Sequence, residues 1–411
     1  MKYNIIAIGD ELLIGQVVDT NSSAIASMLS PHGWQLGEIR VVGDDAEAIT
    51  VAVKEAMQET RVVLMTGGLG PTRDDITKKV LRDYFGGRMI FDKSVEANLE
   101  RVFARRGLVV NNLTRSQALV PSSCRVINNL VGTAPIMWFE RNDCVLVSLP
   151  GVPHEALTMM REVVIPQLLA RFNTGENIRH QTFVLAGIIE SRLAEALGDI
   201  EDAMPSWIKL AYLPSPGYIR LRLTGSHADV KLLEQAMQHE ATRLRERMGQ
   251  YIIADEDLPV AEILGRALRE RGLTVVTAES CTGGNIAHRI TQIPGSSDYF
   301  KGGIVAYANE VKQSLLGVPE EMLSTHGAVS EPVVSQMAIG ACEALQADCA
   351  IATSGIAGPG GTTAGKIVGT VWMAVAVRGR VYSLINHFPG NRDRVIDRAS
   401  TESMLMLLSV I

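Results

Sequence analysis

Two possible nucleophiles stand side by side in the segment TVVTAESCTGG, which runs from Thr274 to Gly284. Ser280 and Cys281 follow an apolar run typical of a buried strand, and they precede a glycine pair that predicts a turn into a helix. A side chain at such a turn lies at the edge of a sheet, and amides left free at the helix start can hold an oxyanion. The pattern indicates nucleophilic catalysis and leaves open which side chain performs it.

A serine hydroxyl needs a base, and the segment GGIVAYANEVK contains a candidate in Lys312, which follows Tyr307 on the next predicted helix. Lysine acts as a general base when an apolar environment lowers its pKa from ~10.4 to about 7, at a cost of about 4–5 kcal/mol. The alternative is a capping serine and a solvated lysine. Cys281 also remains a candidate, because a helix start can lower a thiol pKa below ~8.5.

Two further segments contain groups that bind anions. TSGIAGPGG follows a predicted strand, and glycine-rich loops of this kind hold phosphate or carboxylate through backbone amides. FPGNRDR places an arginine after a tight turn, and a guanidinium suits a phosphate. The alternatives are an ordinary turn and a salt bridge at a helix start. The candidate substrate-binding residues of this region are Thr282, Gly283, Gly284, Asn309, Ser354, Gly355, Gly358 and Arg392.

The first third of the chain has a second glycine loop, TGGLGPTRDDIT, in which Gly67, Gly68, Gly70 and Thr72 are candidates for holding a diphosphate. Asp10, with Asp74 or Asp75, can hold a divalent metal ion through oxygen ligands. An alternative needs no ligand, because Thr72 and Asp75 also match a capping box and an aspartate at a helix start favours the helix dipole.

Strand and helix patterns place these loops in two α/β units, where ligands bind at the carboxyl ends of the strands. We expect domains at residues 1–172 and 251–411, joined by a small α+β module at residues 173–250. The segment GYIRLRLTG in that module alternates apolar and polar residues, which predicts a half-exposed strand. Apolar periodicity predicts helices at Val260–Arg271 and Arg392–Leu408 in the last domain.

Composition narrows the class of protein. The 411 residues carry a net charge of −6, which argues against bulk binding of nucleic acid. Five scattered cysteines without CxxC spacing fit a reducing compartment and supply no metal framework. The N-terminus lacks the pattern of a signal peptide, and the apolar run Ile367–Val377 is too short to span a bilayer. These features predict a cytoplasmic protein without membrane partners.

The motifs TAESCTGG, GGIVAYANEVK, HGAVSEPV, SGIAGPGG and FPGNRD resemble, in order and spacing, the nicotinamide mononucleotide (NMN) deamidase domain of the CinA family. The resemblance covers residues 255–411. It implies hydrolysis of the NMN amide to nicotinate mononucleotide and ammonia, without a cofactor. The family's catalytic serine, tyrosine and lysine fall on Ser280, Tyr307 and Lys312.

The motifs GDE, DTN, TGGLGPTRDD, NNLVGTAP and LPGVPHE resemble the molybdopterin-binding fold of MoaB- and MogA-type proteins, and still better the N-terminal domain of full-length CinA proteins. This resemblance covers roughly residues 1–170. It implies a metal-dependent pyrophosphatase that splits ADP-ribose into AMP and ribose 5-phosphate. Leu130 and Ile136 stand where the family usually has proline and glycine, which predicts a loop of different shape.

The middle module resembles the KH-like domain of CinA proteins but lacks a clear GxxG loop for RNA, so we expect a spacer or a dimer contact. The sequence thus predicts two α/β sandwich domains joined by a KH-like α+β module. The expected protein is a homodimeric enzyme that acts on NMN and ADP-ribose. Two alternatives stay open: an N-terminal domain that only binds a nucleotide or pterin, and a nucleic-acid-associated competence or DNA-damage factor.

Overall fold

The computed structural model describes residues 1–72, 75–105, 107–172, 177–362 and 365–411. The chain divides into two compact units, Met1–Arg179 with Ser226–Glu234, and His180–Gly225 with Gln235–Ile411. Within the described residues, no helix has the length and apolar character needed to cross a membrane.

The N-terminal sheet has the strand order β2-β1-β3-β8-β7-β6. Strands β2, β1, β3 and β8 are parallel, whereas β7 and β6 continue the sheet antiparallel. Strands β4 and β5 form a separate two-stranded antiparallel sheet. The strands are β1 Lys2–Ile8, β2 Gln35–Val42, β3 Val62–Thr66, β4 Met89–Phe91, β5 Leu119–Pro121, β6 Arg125–Ile127, β7 Ile136–Arg141 and β8 Cys144–Leu149.

The helices of this domain begin at polar caps where the sequence supplies them. Asp19 accepts a hydrogen bond from the Ser22 amide, and Asp45 accepts one from the Ala48 amide. The helices are α1 Asp10–Leu13, α2 Thr20–Leu29, α3 Ala46–Glu59, α4 Thr77–Phe85, α5 Lys93–Arg105, α6 Asn112–Arg115, α7 Pro153–Met159 and α8 Ile165–Arg171. A π-helical turn at Met160–Val164 joins α7 to α8 without a break in the helical backbone.

The continuous apolar run of β1 follows from a sheet covered on both faces. Tyr3 and Ile5 pack into one hydrophobic core, and Ile6 and Ile8 pack into another. Alternate residues of a strand point to opposite faces, so both sets are buried only when helices cover both sides. This arrangement confirms the α/β fold class for the first domain.

The middle module contains a sheet of order β10-β11-β9-β12 with helices α9 and α10. In β11 the side chains of Ile219, Leu221 and Leu223 are buried and the intervening residues are partly exposed, which confirms the half-exposed strand. The elements are β9 Asn177–Ala186, α9 Glu190–Asp202, β10 Ile208–Ser215, β11 Tyr218–His227, α10 Val230–Met248 and β12 Ile252–Ala254.

The C-terminal sheet has the order β14-β13-β15-β16-β17. Strand β13 is parallel to both neighbours, and β16 and β17 continue antiparallel. The carboxyl ends of β13, β14, β15 and β17 therefore lie at one edge. The strands are β13 Val275–Glu279, β14 Phe300–Val305, β15 Cys349–Gly355, β16 Thr370–Val377 and β17 Arg380–His387.

Helices cover both faces of this sheet as well. Val275 packs into one core, whereas Val276 and Ala278 pack into the core on the opposite face. The first and last helices have the predicted bounds. The helices are α11 Val260–Arg271, α12 Asn285–Thr291, α13 Asn309–Leu316, α14 Glu320–His326, α15 Glu331–Leu345 and α16 Arg392–Leu408.

Candidate functional site

The carboxyl ends of three neighbouring strands bring the C-terminal motifs together. The Ser280 amide donates to the Thr353 carbonyl at 3.0 Å, and the Ala306 amide donates to the Glu279 carbonyl at 2.8 Å. These bonds extend the ladder past the ends of β13, β14 and β15. Since adjacent strands lie about 4.8 Å apart, Ser280 is flanked by the segment after β14 on one side and by the end of β15 on the other.

Ser280 occupies a turn that glycine makes possible. Gly283 and Gly284 have φ angles of 61° and 97°, a left-handed region that side chains other than glycine rarely adopt. The Gly283 amide donates back to the Ser280 carbonyl at 3.2 Å. Ser280 is 9% exposed, and its hydroxyl forms no hydrogen bond with any residue that the structure describes. The hydroxyl is thus unused by the fold.

Lys312 is buried, with 1% of its surface exposed, although it belongs to a short helix. Its Nζ donates to the carbonyls of Ala306 at 2.8 Å and Tyr307 at 3.1 Å. Burial lowers the pKa of Lys312, against smaller opposing effects of Cys281 and Glu310. A neutral amine has two N–H groups and one lone pair, so these two carbonyls leave the lone pair available. No hydrogen bond joins Lys312 to Ser280 among the described residues.

Tyr307 and Arg392 connect three of the motifs. The Tyr307 side chain is 61% exposed, and its hydroxyl accepts a hydrogen bond from Arg392 Nη2 at 3.1 Å. Arg392 Nη1 donates to the Gly358 carbonyl at 2.8 Å. The guanidinium is exposed at the start of α16 and retains further N–H groups for a ligand.

The remaining predicted ligand residues differ in whether they are exposed and free to bind a ligand. Ser354 is 1% exposed, and its hydroxyl donates to the Ala328 carbonyl at 2.6 Å, so the fold already uses it. Gly355 ends β15 at the same edge, and Asn309 is exposed at the start of α13. Asn309 is therefore accessible at this edge, whereas Ser354 holds the loop before α15.

The expectation that the helix start leaves free amides is wrong at three positions. Glu279, which the sequence interpretation did not single out, accepts hydrogen bonds from the amides of Gly284, Ile286 and Ala287. It also accepts one from the hydroxyl of Thr282, a predicted ligand residue whose side chain is buried. A glutamate that ends an apolar strand just before a glycine turn was the available signal.

Cys281 has the properties of a packing residue. It is 4% exposed and lies in a hydrophobic cluster with Val371, Met373 and Phe388. Burial raises the pKa of its thiol to about 12, and the Thr353 hydroxyl and Lys312 offset this only in part. A thiol with this pKa is protonated at neutral pH and is a poor nucleophile.

The N-terminal glycine loop is held by its own aspartate. Asp75 accepts hydrogen bonds from the amides of Gly70 at 2.7 Å and Thr72 at 2.8 Å, and from the Thr72 hydroxyl at 2.6 Å. At Gly67 a Cβ atom would lie 2.2 Å from the Ile8 carbonyl oxygen, so close packing against β1 requires this glycine. Asp75 therefore holds the loop, but the predicted capping box is wrong, because α4 begins at Thr77 with Ile76 at its N-cap and has no side-chain cap.

Acidic side chains that follow β1 and β2 lie near Asp75 of the glycine loop. Asp10 and Asp44 accept hydrogen bonds from each other's amides. Burial raises the pKa of Asp44, and the charges of Asp10, Glu11 and Asp75 add to the effect, so these acids lie near one another. In the part of the chain that is described, no three His, Cys, Asp or Glu side chains form a set that could hold a metal. Asp74 lies outside the described residues.

The loop in which the sequence departs from the family pattern is well anchored. Asn129 donates to the Ala134 carbonyl and to Glu155, and Asn98 donates to the Asn129 carbonyl. Leu130 is 54% exposed, and Ile136 is fully buried at the start of β7. The isoleucine therefore contributes to the core.

The fold and the two loop-lined edges define a protein with two α/β domains and a small α+β module between them in sequence. Residues 4–170 match the family described as "Probable molybdopterin binding domain", residues 180–254 match "Damage-inducible protein CinA KH domain", and residues 257–411 match "CinA C-terminal domain". The chain belongs to the CinA family.

Two relatives that span nearly the whole chain agree with this assignment. A CinA-like protein of Flavobacterium psychrophilum is 41% identical and covers 100% of this chain and 99% of its own length. A CinA-like protein of Cytophaga hutchinsonii is 42% identical over 93% of this chain and 91% of its own. A solved competence/damage-inducible protein from Agrobacterium tumefaciens is 40% identical and covers 37% of this chain and 96% of its own, with a TM-score of 0.35.

Proposed function

We propose that the C-terminal domain hydrolyses the carboxamide of NMN to nicotinate mononucleotide and ammonia. The observation that carries the proposal is that the Ser280 hydroxyl has no hydrogen-bond partner among the described residues, while the helix after the neighbouring strand supplies the buried amine of Lys312. The resemblance of five motifs to NMN deamidases supplies the substrate.

In the proposed reaction, the Ser280 hydroxyl attacks the carboxamide carbon and its proton passes to the lone pair of Lys312 Nζ. The tetrahedral intermediate collapses, the C–N bond breaks, and the proton returns to the departing nitrogen to give ammonia. Water then attacks the acyl-serine ester while Lys312 accepts its proton, and this proton passes to the Ser280 oxygen as the ester bond breaks and nicotinate mononucleotide leaves. The two carbonyls that hold Nζ keep the amine oriented through both steps.

Tyr307 and Arg392 are proposed to bind the polar part of the nucleotide. The Arg392 guanidinium is exposed and already oriented by the Gly358 carbonyl and the Tyr307 hydroxyl. An arginine held in this way binds a phosphate with little loss of side-chain entropy. We assign the 5-phosphate of NMN to this side of the site.

The test is ammonia release from NMN by the purified full-length chain, with nicotinate mononucleotide identified as the second product. Ammonia and nicotinate mononucleotide should appear in equal amounts. A wild-type chain that binds NMN but releases no ammonia would overturn the proposal in favour of a binding protein.

For the N-terminal domain, the described residues favour the alternative in which the glycine loop binds a nucleotide or pterin without cleaving it. The carboxylates of Asp10 and Asp75 are engaged with backbone amides. Metal-dependent cleavage of ADP-ribose stays a prediction, because it depends on Asp74. Incubation of the chain with ADP-ribose and several divalent ions distinguishes the two: AMP formation that EDTA abolishes would contradict binding alone.

A further inference from the structure

Glu279, next to the proposed nucleophile, is a buried acid with a complete set of partners. It ends the apolar strand β13 and is 1% exposed. A carboxylate that leaves water must be compensated by donors. Its four donors are the Thr282 hydroxyl at 2.7 Å, the amides of Gly284 and Ile286 at 3.0 Å each, and the Ala287 amide at 2.9 Å.

We propose that Glu279 is a positioning residue for amide hydrolysis, whose carboxylate fixes the turn so that the Ser280 hydroxyl and the amides of Cys281 and Thr282 serve the substrate carbonyl. The inference rests on the proposed function of the C-terminal domain. Glu279 itself does not touch the substrate, because its oxygens are occupied by the turn and by the start of α12.

Several backbone amides of the turn already donate to acceptors in the protein, and the others remain free to donate to a substrate. The amides of Ser280, Gly283 and Asn285 donate to backbone carbonyls at 3.0, 3.2 and 3.1 Å. In the described part of the chain, the amides of Cys281 and Thr282 donate to no other residue. Developing negative charge on a carbonyl oxygen is stabilised by preorganised amides of this kind. Glu279 accepts from the amides that follow later in the turn and at the start of α12. The amides of Cys281 and Thr282 therefore remain as the oxyanion donors.

A chain of hydroxyl groups connects Glu279 to the neighbouring strand. Because the carboxylate only accepts, the Thr282 hydroxyl donates to it. The Thr353 hydroxyl, 2.7 Å from Thr282, is then the donor in that contact. Thr282 and Thr353 are 3% and 0% exposed, so the network is shielded from water. It holds the turn against β15 on the side opposite to Lys312.

The decisive variant is Glu279→Gln, which keeps the size of the side chain but turns one acceptor into an N–H donor facing backbone N–H groups. We expect kcat for ammonia release to fall roughly 100-fold, as for loss of an oxyanion donor, with KM for NMN within about twofold of wild type. A residue that only stabilised the fold would lower the melting temperature without this loss of kcat in the molecules that remain folded.

Asp348→Asn is the matched control, because Asp348 accepts from the amide and hydroxyl of Thr274 at the other end of the β13 segment. It should lower thermal stability and leave kcat within about twofold. If Glu279→Gln does not fold, Thr282→Val should lower kcat and Thr282→Ser should restore it. If the wild type is active and kcat is unchanged in Glu279→Gln or in Thr282→Val, this inference alone is overturned. If the wild type has no deamidase activity, the proposed function is overturned together with it.

Discussion

The two α/β domains each place a glycine turn after a parallel strand, yet the acids beside these turns leave different groups available. In the C-terminal domain, Glu279 binds the helix-start amides, and an unbonded serine hydroxyl and a buried amine remain. In the N-terminal domain, Asp75 binds the loop amides and the Thr72 hydroxyl.

The comparison teaches that a glycine loop does not by itself identify a site. Both loops satisfy part of their own backbone, and Gly67 is required by packing against Ile8. A reactive site requires a polar group that the fold leaves unused and a second group whose protonation the fold alters. Ser280 and Lys312 meet these two conditions.

Replacing Ser280 by Ala should produce the largest effect and test the C-terminal side of the comparison. Ammonia release from NMN should fall by at least about 1,000-fold, because the nucleophile is lost while binding groups remain. NMN binding, measured by calorimetry, should persist within about threefold. A variant that retains full turnover would contradict the assignment of Ser280. Asp75→Asn serves as the control and should leave ammonia release unchanged.

Replacing Lys312 by Met should lower kcat roughly 100- to 1,000-fold, the usual effect of losing a general base. In the wild type, kcat should rise with pH as the amine loses its proton, and the lowered pKa of Lys312 moves this rise below the range of an ordinary lysine. The Met variant should lack this pH dependence. An identical pH profile in the two proteins would exclude Lys312 as the base.

Lys312→Met lowers the activity but should raise the stability of the folded protein at neutral pH. Because the folded-state pKa of Lys312 lies below its unfolded value, the unfolded chain binds more protons between the two values, and the free energy of unfolding rises with pH across that interval. At neutral pH the wild type therefore bears the cost of a buried amine. Lys312→Met should be more stable there by denaturant unfolding; a less stable variant would show that the two carbonyl hydrogen bonds outweigh this cost.

Much of the fold follows from local sequence. The helices Val260–Arg271 and Arg392–Leu408 have the predicted bounds, because apolar periodicity and flanking residues define them. The antiparallel strands β6 and β7 were not predicted, since short apolar segments do not reveal their pairing partners. The π-helical turn at Met160–Val164 gives no sequence signal that separates it from a continuous helix.

Residue types and the order of the motifs predicted three candidate catalytic residues of the site. Ser280, Tyr307 and Lys312 were chosen in that way, and their roles stay predictions. The glutamate at the end of the apolar strand β13 was a visible signal, but its four hydrogen-bond partners could not be foreseen, because a residue before a turn accepts from amides up to Ala287 only once the turn closes. The burial of Ser354 likewise depends on the loop at Ala328, which is distant in sequence.

Asp75→Asn should have a moderate effect limited to the N-terminal side of the comparison. Asparagine retains one acceptor oxygen but replaces the other with an amide that faces the donors of Thr72. We expect a loss of about 1–2 kcal/mol in the unfolding free energy, the range for hydrogen-bond donors left without an acceptor. Urea unfolding measures this loss. Unchanged stability would contradict the role of Asp75 in holding the loop.

Cys281→Ala should have the smallest effect, although this residue adjoins the proposed nucleophile. The thiol is buried among apolar side chains, and its raised pKa of about 12 keeps it protonated at neutral pH. We expect kcat for ammonia release within about twofold of wild type, and a stability loss of about 1 kcal/mol from the small cavity. Iodoacetamide should leave the activity of the wild type unchanged for the same reason. If Cys281→Ala abolished activity while Ser280→Ala retained it, the thiol would be the nucleophile and Lys312 would act as its positive partner.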